Sequence, residues 1–321
     1  MARSFSAFLA GVCVYTVGQC GLAAARQALL AALVVPAERT KARAFLQSTA
    51  NAGLAIGATV GGAALYVDAR PAYLVAFALD AVSFAVAALL LRRLPSVPPA
   101  LKVAGEPALA VLRDRPYAVI ALLNTVLLLY MPMLSLVAPL WIVERTEAPR
   151  WIVSAMLVLN TISVVLFQVR IARRVNGLRS ATRYIRYAGA LMMATCAVFA
   201  LSATGRSAWS AAAVLLAAAL LQVVAEMMQA SGSWEISFGL APADKQGQYQ
   251  GFFGSGVAVA RMVGPLLLTA LILGLGATGW LILGALFLTA ACAITPAVHH
   301  AHHRTTPAPA IPAPTTQLAA A

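Results

Sequence analysis

Long apolar runs without alternation organise this chain. A helix that crosses a bilayer needs roughly 20 apolar residues. Nine such runs stand out, at about 5–33, 46–67, 71–91, 117–143, 151–169, 187–204, 208–230, 251–274 and 278–298. The period-2 pattern of a membrane barrel is absent, so the runs predict helices. Three longer connections separate them: a proline-rich stretch at 92–116, a basic one at 170–186 and a polar one at 231–250. After Val298 come His299, His300, His302 and His303, then a Pro/Ala/Thr tail. That composition cannot bury a core and predicts disorder from residue 299. The histidines read as solvated, and no metal site is expected.

Composition turns the pattern into a class. The chain is 61% hydrophobic and 10% charged, with a mean hydropathy of +0.85. A soluble domain is nearer half apolar and a quarter charged. A secreted or cytosolic enzyme, a disordered protein and a disulfide-stapled domain are therefore excluded. What remains is an all-α polytopic membrane protein, since helices satisfy their own backbone in lipid. The four cysteines add little. Cys13 and Cys20 lie ~10 Å apart on one helix, too far to bridge, and Cys196 and Cys292 stand alone. Without CxxC or zinc spacing they read as small buried hydrophobes.

The net charge of +13 invites a nucleic-acid partner until the charges are placed. One side of the membrane takes sixteen: Arg39, Lys41, Arg43, Arg92, Arg93, Lys102, Arg113, Arg115, Arg170, Arg173, Arg174, Arg179, Arg183, Arg186, Lys245 and Arg304. The other takes five: Arg3, Arg70, Arg145, Arg150 and Arg206. The positive-inside rule makes the first side, and the C-terminus, cytoplasmic. The charge therefore marks topology and contact with anionic headgroups, and no nucleic-acid partner is expected. Reading residues 1–25 as a cleaved signal peptide would invert every later loop against that rule, so the first run is kept as an uncleaved membrane helix.

Gly53, Gly57, Gly61 and Gly62, with Ala58 among them, resemble the fifth-helix glycine motif of drug/proton antiporters, in which a proline stands at the place of Ala58. Pro36-Ala37-Glu38-Arg39 resembles the loop before that helix. Asp80 to Phe84, then Leu94-Pro95, resembles the end of a sixth helix. Gly247 to Gly251, leading to Gly264-Pro265, resembles the entry to an eleventh. In order and spacing these pieces resemble the major facilitator superfamily from its fourth helix to its twelfth. The resemblance implies a partial N-terminal bundle of three helices at 1–95, a cytoplasmic central loop at 96–116, a six-helix bundle at 117–298 and a tail at 299–321. It also implies that three N-terminal helices, and the signature loop between the second and third, are missing here. The fourth-helix motif departs too: Gln19 and Gly21 fit, but Thr16 and Val17 stand near the place of its arginine, and Arg26 lies two turns further on.

The glycines have a physical reading of their own. Gly53, Gly57 and Gly61 are four apart and leave a side-chain-free stripe on one helix face. Such a stripe lets helices approach closely in lipid, either as static packing or as a surface that slides. Gly264-Pro265 predicts a kink or loosening in its run.

Ionisable groups at depth are the candidate chemistry. Arg261 lies ~15 Å into its run, near the midplane. It serves either the substrate path or a structural pair, for which Glu226, ~7 Å inside the cytoplasmic edge of the preceding run, is one candidate partner. A Glu226–Arg261 pair would hold an inner gate, and protonation of Glu226 would bias it. Asp80 serves either helix packing or transport. Asn124, Asn160 and Gln222 are further candidates for the path or gate; with Gln168 they read by default as interhelical links worth ~1 kcal/mol each. Trp141, Trp151, Trp209 and Trp280 read as an interfacial belt. Trp234 and Tyr249 flank the cytoplasmic mouth, with no role assigned.

No HExxH, GxSxG, Walker or CxxC motif occurs, so neither an enzyme nor a cofactor is expected. The resemblance to the major facilitator superfamily implies a multi-pass cell-membrane transporter that exports a small molecule by alternating access, with protons as coupling ion. The alternative is a truncated, non-transporting fragment or an accessory membrane protein.

Overall fold

The computed structural model describes residues 5–95, 110–204 and 207–305. It forms nine long helices: α1 (Phe5–Leu33), α2 (Arg39–Val67), α3 (Arg70–Leu91), α4 (Arg115–Arg145), α5 (Trp151–Ala172), α6 (Gly177–Ser202), α7 (Ala208–Leu240), α8 (Gln246–Leu275) and α9 (Ala277–Thr305). Eight of these are long and apolar enough to span a membrane; in α1 the apolar stretch that qualifies is the shorter Gly21–Leu33. No strand occurs among the described residues.

The helix ends follow local chemistry. Asp114 caps α4 by accepting from the Tyr117 N–H at 3.1 Å. Ser207 and Ser210 cap α7 reciprocally. Asp68, at φ 43°, ends α2 in the left-handed region. Gly276, at φ 61°, makes the sharp turn from α8 to α9, where a side chain would be strained. Inside α4 the regular ladder breaks around Pro132, and Met133–Val137 form a π turn before Pro139. Each proline removes an N–H from the ladder, and the wider turn absorbs the mismatch.

The main core lies between Val111 and Ala301. There α6 packs on α7 and α9, α9 packs on α4, and α7 packs on α5. The first three helices attach along the outside of this core: α1 on α8, α2 on α5 and α7. Helix α3 packs on α2 and buries no residue. Gly264 does sit in a tight joint, because a Cβ there would collide with Pro132 of α4. The stripe of Gly53, Gly57, Gly61 and Gly62 does not: nothing lies within 4 Å of a Cβ built at any of them.

Several expectations need correction. The helices run further than the apolar runs at the arginine-rich end. Helix α2 starts at Arg39, α6 at Gly177 and α8 at Gln246, while α7 continues to Leu240. The polar stretch 231–250 is therefore mostly helical, because its serines and glutamines find partners on neighbouring helices. The tail does not begin at 299: α9 carries all four histidines to Thr305, ahead of the first tail proline, Pro307. The central loop at 96–109 and the tail from 306 lie outside the described residues. Two of the four tryptophans leave the interfacial belt. Trp280 is fully buried, stacked on Phe199 at 4.5 Å with Trp141 edge-on at 5.8 Å. The Trp141 Nε1–H donates to Ser202 Oγ at 3.0 Å. Trp151 and Trp209 remain exposed.

Candidate functional site

Helix α7 carries a polar column through the core. Gln222, Glu226, Gln229, Ser233 and Ser237 follow spacings of three and four, which keeps them on one face. With α7 extended to Leu240, Glu226 is the nineteenth of its 33 residues. Glu226 therefore sits near the middle of the helix, while its place in the apolar run is unchanged, since the added turns lie beyond that run.

The first layer joins α7 to α5. Glu226 Oε2 accepts from Asn160 Nδ2 at 2.8 Å and from Gln222 Nε2 at 3.0 Å. Two neutral amides thus hold this carboxylate, and no ion pair joins it to Arg261 among the described residues. Arg261 is exposed on α8. The expected pair does not form: Glu226 turns toward α5, while Arg261 is exposed on α8.

The second layer joins α7 to α4. Asn124 Oδ1 accepts from Gln229 Nε2 at 2.9 Å and from Ser233 Oγ at 2.6 Å. All three residues are buried, and Gln229 Oε1 has no partner. Gln168 of α5 donates to Ser231 Oγ at 3.0 Å. Asp80 is apart from all of this, exposed on α3.

The third layer lies at the arginine-rich end, ~14 Å along α7 from Glu226. Glu235 accepts from Thr40 Oγ1 of α2 and, at 2.9 Å, from the Gly177 N–H that opens α6. Arg43 lies over the Trp234 ring at 5.4 Å and Arg39 over Phe238 at 6.0 Å. Ser48 Oγ donates to the Val164 carbonyl at 3.3 Å. Together these contacts clasp α2 to the larger helix group. Tyr249, by contrast, ties α8 to α4 by donating to Asp114 Oδ2 at 3.0 Å. The sequence reading missed Thr40, Gln229, Ser233 and Glu235. For Gln229 and Ser233 the signal was present in the three- and four-residue polar spacing from Gln222 to Ser237, while Thr40 and Glu235 are joined only by a contact between residues 195 apart.

A column of partnered polar side chains inside a nine-helix apolar bundle, with a clasp at one end, defines a polytopic helical membrane protein with a polar interior. The chain belongs to the major facilitator superfamily, whose sequence profile matches residues 1–237. No curated protein sequence matches the chain. Among solved structures it is similar to the crystal structure of a bacterial homologue of the iron transporter ferroportin in an outward-facing state, with a TM-score of 0.63 and 16% identity. The match covers 85% of this chain and 66% of that one, so the chain spans just under two thirds of the length of its structural relative.

Proposed function

We propose that this chain is a secondary transporter that moves a small molecule by alternating access, not an enzyme. Its place is the cell membrane, with the arginine-rich end and the C-terminus in the cytoplasm. The observation that carries the reading is Glu226: an ionisable group near mid-helix, held by neutral amides that serve it in either protonation state. In this reading the polar column of α7 lines the path, with Asn124, Asn160 and Gln222 as polar contacts and Arg261 as the cation at its depth. Taking up a proton at Glu226 removes a charge from the interface of α5 and α7, and this shifts the balance between the two states. The clasp around Glu235 is the inner gate, closed in the conformation described. Proton exchange drives efflux.

The test is transport in cells and proteoliposomes with an imposed pH gradient. A panel of fluorescent amphiphiles is used, with ferrous iron added because the matched structure is described as a homologue of an iron transporter. The wild-type chain should lower substrate accumulation, and Arg261→Ala should weaken this. Glu226→Gln should transport without responding to the gradient, since its side chain cannot titrate. Equal accumulation with and without the chain would support the non-transporting alternative. An unaltered pH response in Glu226→Gln would end the coupling role of that residue.

A further inference from the structure

The arginines between α5 and α6 do more than set topology. Six of them, Arg170, Arg173, Arg174, Arg179, Arg183 and Arg186, fall within 17 consecutive residues and are all exposed. No acidic residue occurs between Glu147 and Glu226, so neither α5 nor α6 supplies a counter-charge. Glu235, which does reach this loop, is occupied by Thr40 and the Gly177 N–H. None of the six guanidinium groups makes a hydrogen bond or ion pair among the described residues.

Three of them are arranged along one line. Arg179, Arg183 and Arg186 are spaced i, i+4, i+7 on α6, within ~60° of one another around its axis and over ~10 Å of its length. The opposite side of α6 carries the buried Ala181, Ile185, Ala188 and Met192. The arginine line therefore points away from the core. Counting about 20 residues back from Ser202 places the hydrocarbon boundary near Arg183. Arg179 then lies at headgroup level, while Arg186 lies within the boundary and must reach back toward the headgroups. Tyr187 is exposed on the same side, at the depth where tyrosine is enriched.

We propose that this line is a binding site for the headgroup of an anionic phospholipid. A guanidinium binds a phosphate diester through two parallel hydrogen bonds, and three such groups on a line bracket one headgroup at the membrane surface. The chemistry matches in sign, geometry and depth: uncompensated cations, fork-shaped donors, and a position where phosphates are already concentrated.

The experiment uses the full chain, purified in mild detergent and titrated with phosphatidylglycerol or phosphatidylcholine, with bound lipid counted by native mass spectrometry. The wild-type chain should retain phosphatidylglycerol over phosphatidylcholine. The triple variant Arg179→Gln/Arg183→Gln/Arg186→Gln should lose this preference, with apparent affinity lower on the order of 100-fold, about five-fold for each arginine. The control Arg92→Gln/Arg93→Gln, on another exposed part of the same end, should keep it. Should the triple variant fail to fold, the three single variants carry the test and should each weaken retention by the single-residue factor. Wild-type retention in the triple or single variants overturns the site. So does an equal loss in the control, which would reduce the effect to net charge. Displacement of the lipid by glycerol phosphate would assign the line to a soluble anion, and displacement by duplex DNA would assign it to a nucleic acid; either result also overturns the proposal.

Discussion

Gly264 and Gly57 belong to motifs of similar appearance and meet opposite surroundings. At Gly264 a Cβ would run into the Pro132 ring, a rigid neighbour on α4 that has no rotamer to yield. At Gly57 a Cβ would meet nothing within 4 Å. Gly264→Ala should therefore push α8 off α4 and destabilise the protein by about 1–3 kcal/mol, the usual range for overpacking a tight joint. Gly57→Ala should be neutral or stabilising by up to about 1 kcal/mol, through helix propensity alone. Thermal unfolding of the two variants in the same detergent separates these outcomes. A loss at Gly57 as large as that at Gly264 would mean that the stripe is covered after all. Spacing identified both glycines as small-residue positions, but which stripe meets a partner depends on the rotation of each helix about its axis, and neither pattern nor depth encodes that. The same gap explains why Arg261 and Glu226 do not pair.

At the scale of elements, α7 carries most of the interior chemistry. Its 33 residues, ~50 Å long, exceed the ~30 Å hydrocarbon layer, so its last turns extend past the membrane and bear Glu235. That is why hydropathy stopped the helix at residue 230: the polar residues beyond it are buried by protein, not by lipid. The existence and order of all nine helices were legible in the sequence, because apolar length is the requirement lipid imposes. The extensions at 39, 177, 240 and 246 were not, because they rest on contacts such as Thr40 with Glu235 that join residues 195 apart in sequence. Breaking this contact is the prediction at this scale. Glu235→Ala leaves Thr40 and the Gly177 N–H without their acceptor, a loss of about 1.5–3 kcal/mol for bonds to a charged group. The clasp should then open at least ten-fold more often. The probe is Ser48→Cys, with Cys13, Cys20, Cys196 and Cys292 replaced by serine. Ser48 is buried against Val164 beside the clasp, so its alkylation by a water-soluble maleimide should accelerate by that factor when Glu235→Ala is added. An unchanged rate would remove the clasp from the gate.

For the molecule as a whole, stability is unevenly distributed. The continuous core from Val111 to Ala301 draws on every helix from α4 to α9, with Trp280, Phe199 and Trp141 locked together at the end away from the arginines. The first three helices contribute only a small cluster, in which Leu30 and Ala31 meet Phe238, and α3 contributes no buried residue. The two parts are thus held together by the clasp and by short helix contacts, a union weak enough to be broken and remade in the proposed transport cycle. Residues 110–305 expressed alone should therefore insert and unfold cooperatively. All five tryptophans of the chain fall within this segment, so their fluorescence reports its unfolding directly. Losing the clasp and its neighbours removes about 2–3 kcal/mol, so the midpoint should fall by about 5–10 °C relative to the full chain. Residues 5–95 alone should show no cooperative transition, which circular dichroism would follow in the absence of tryptophan. If the 110–305 segment instead melts without cooperativity, the first three helices are part of the core, and the proposed gate does not open by separating them from α7.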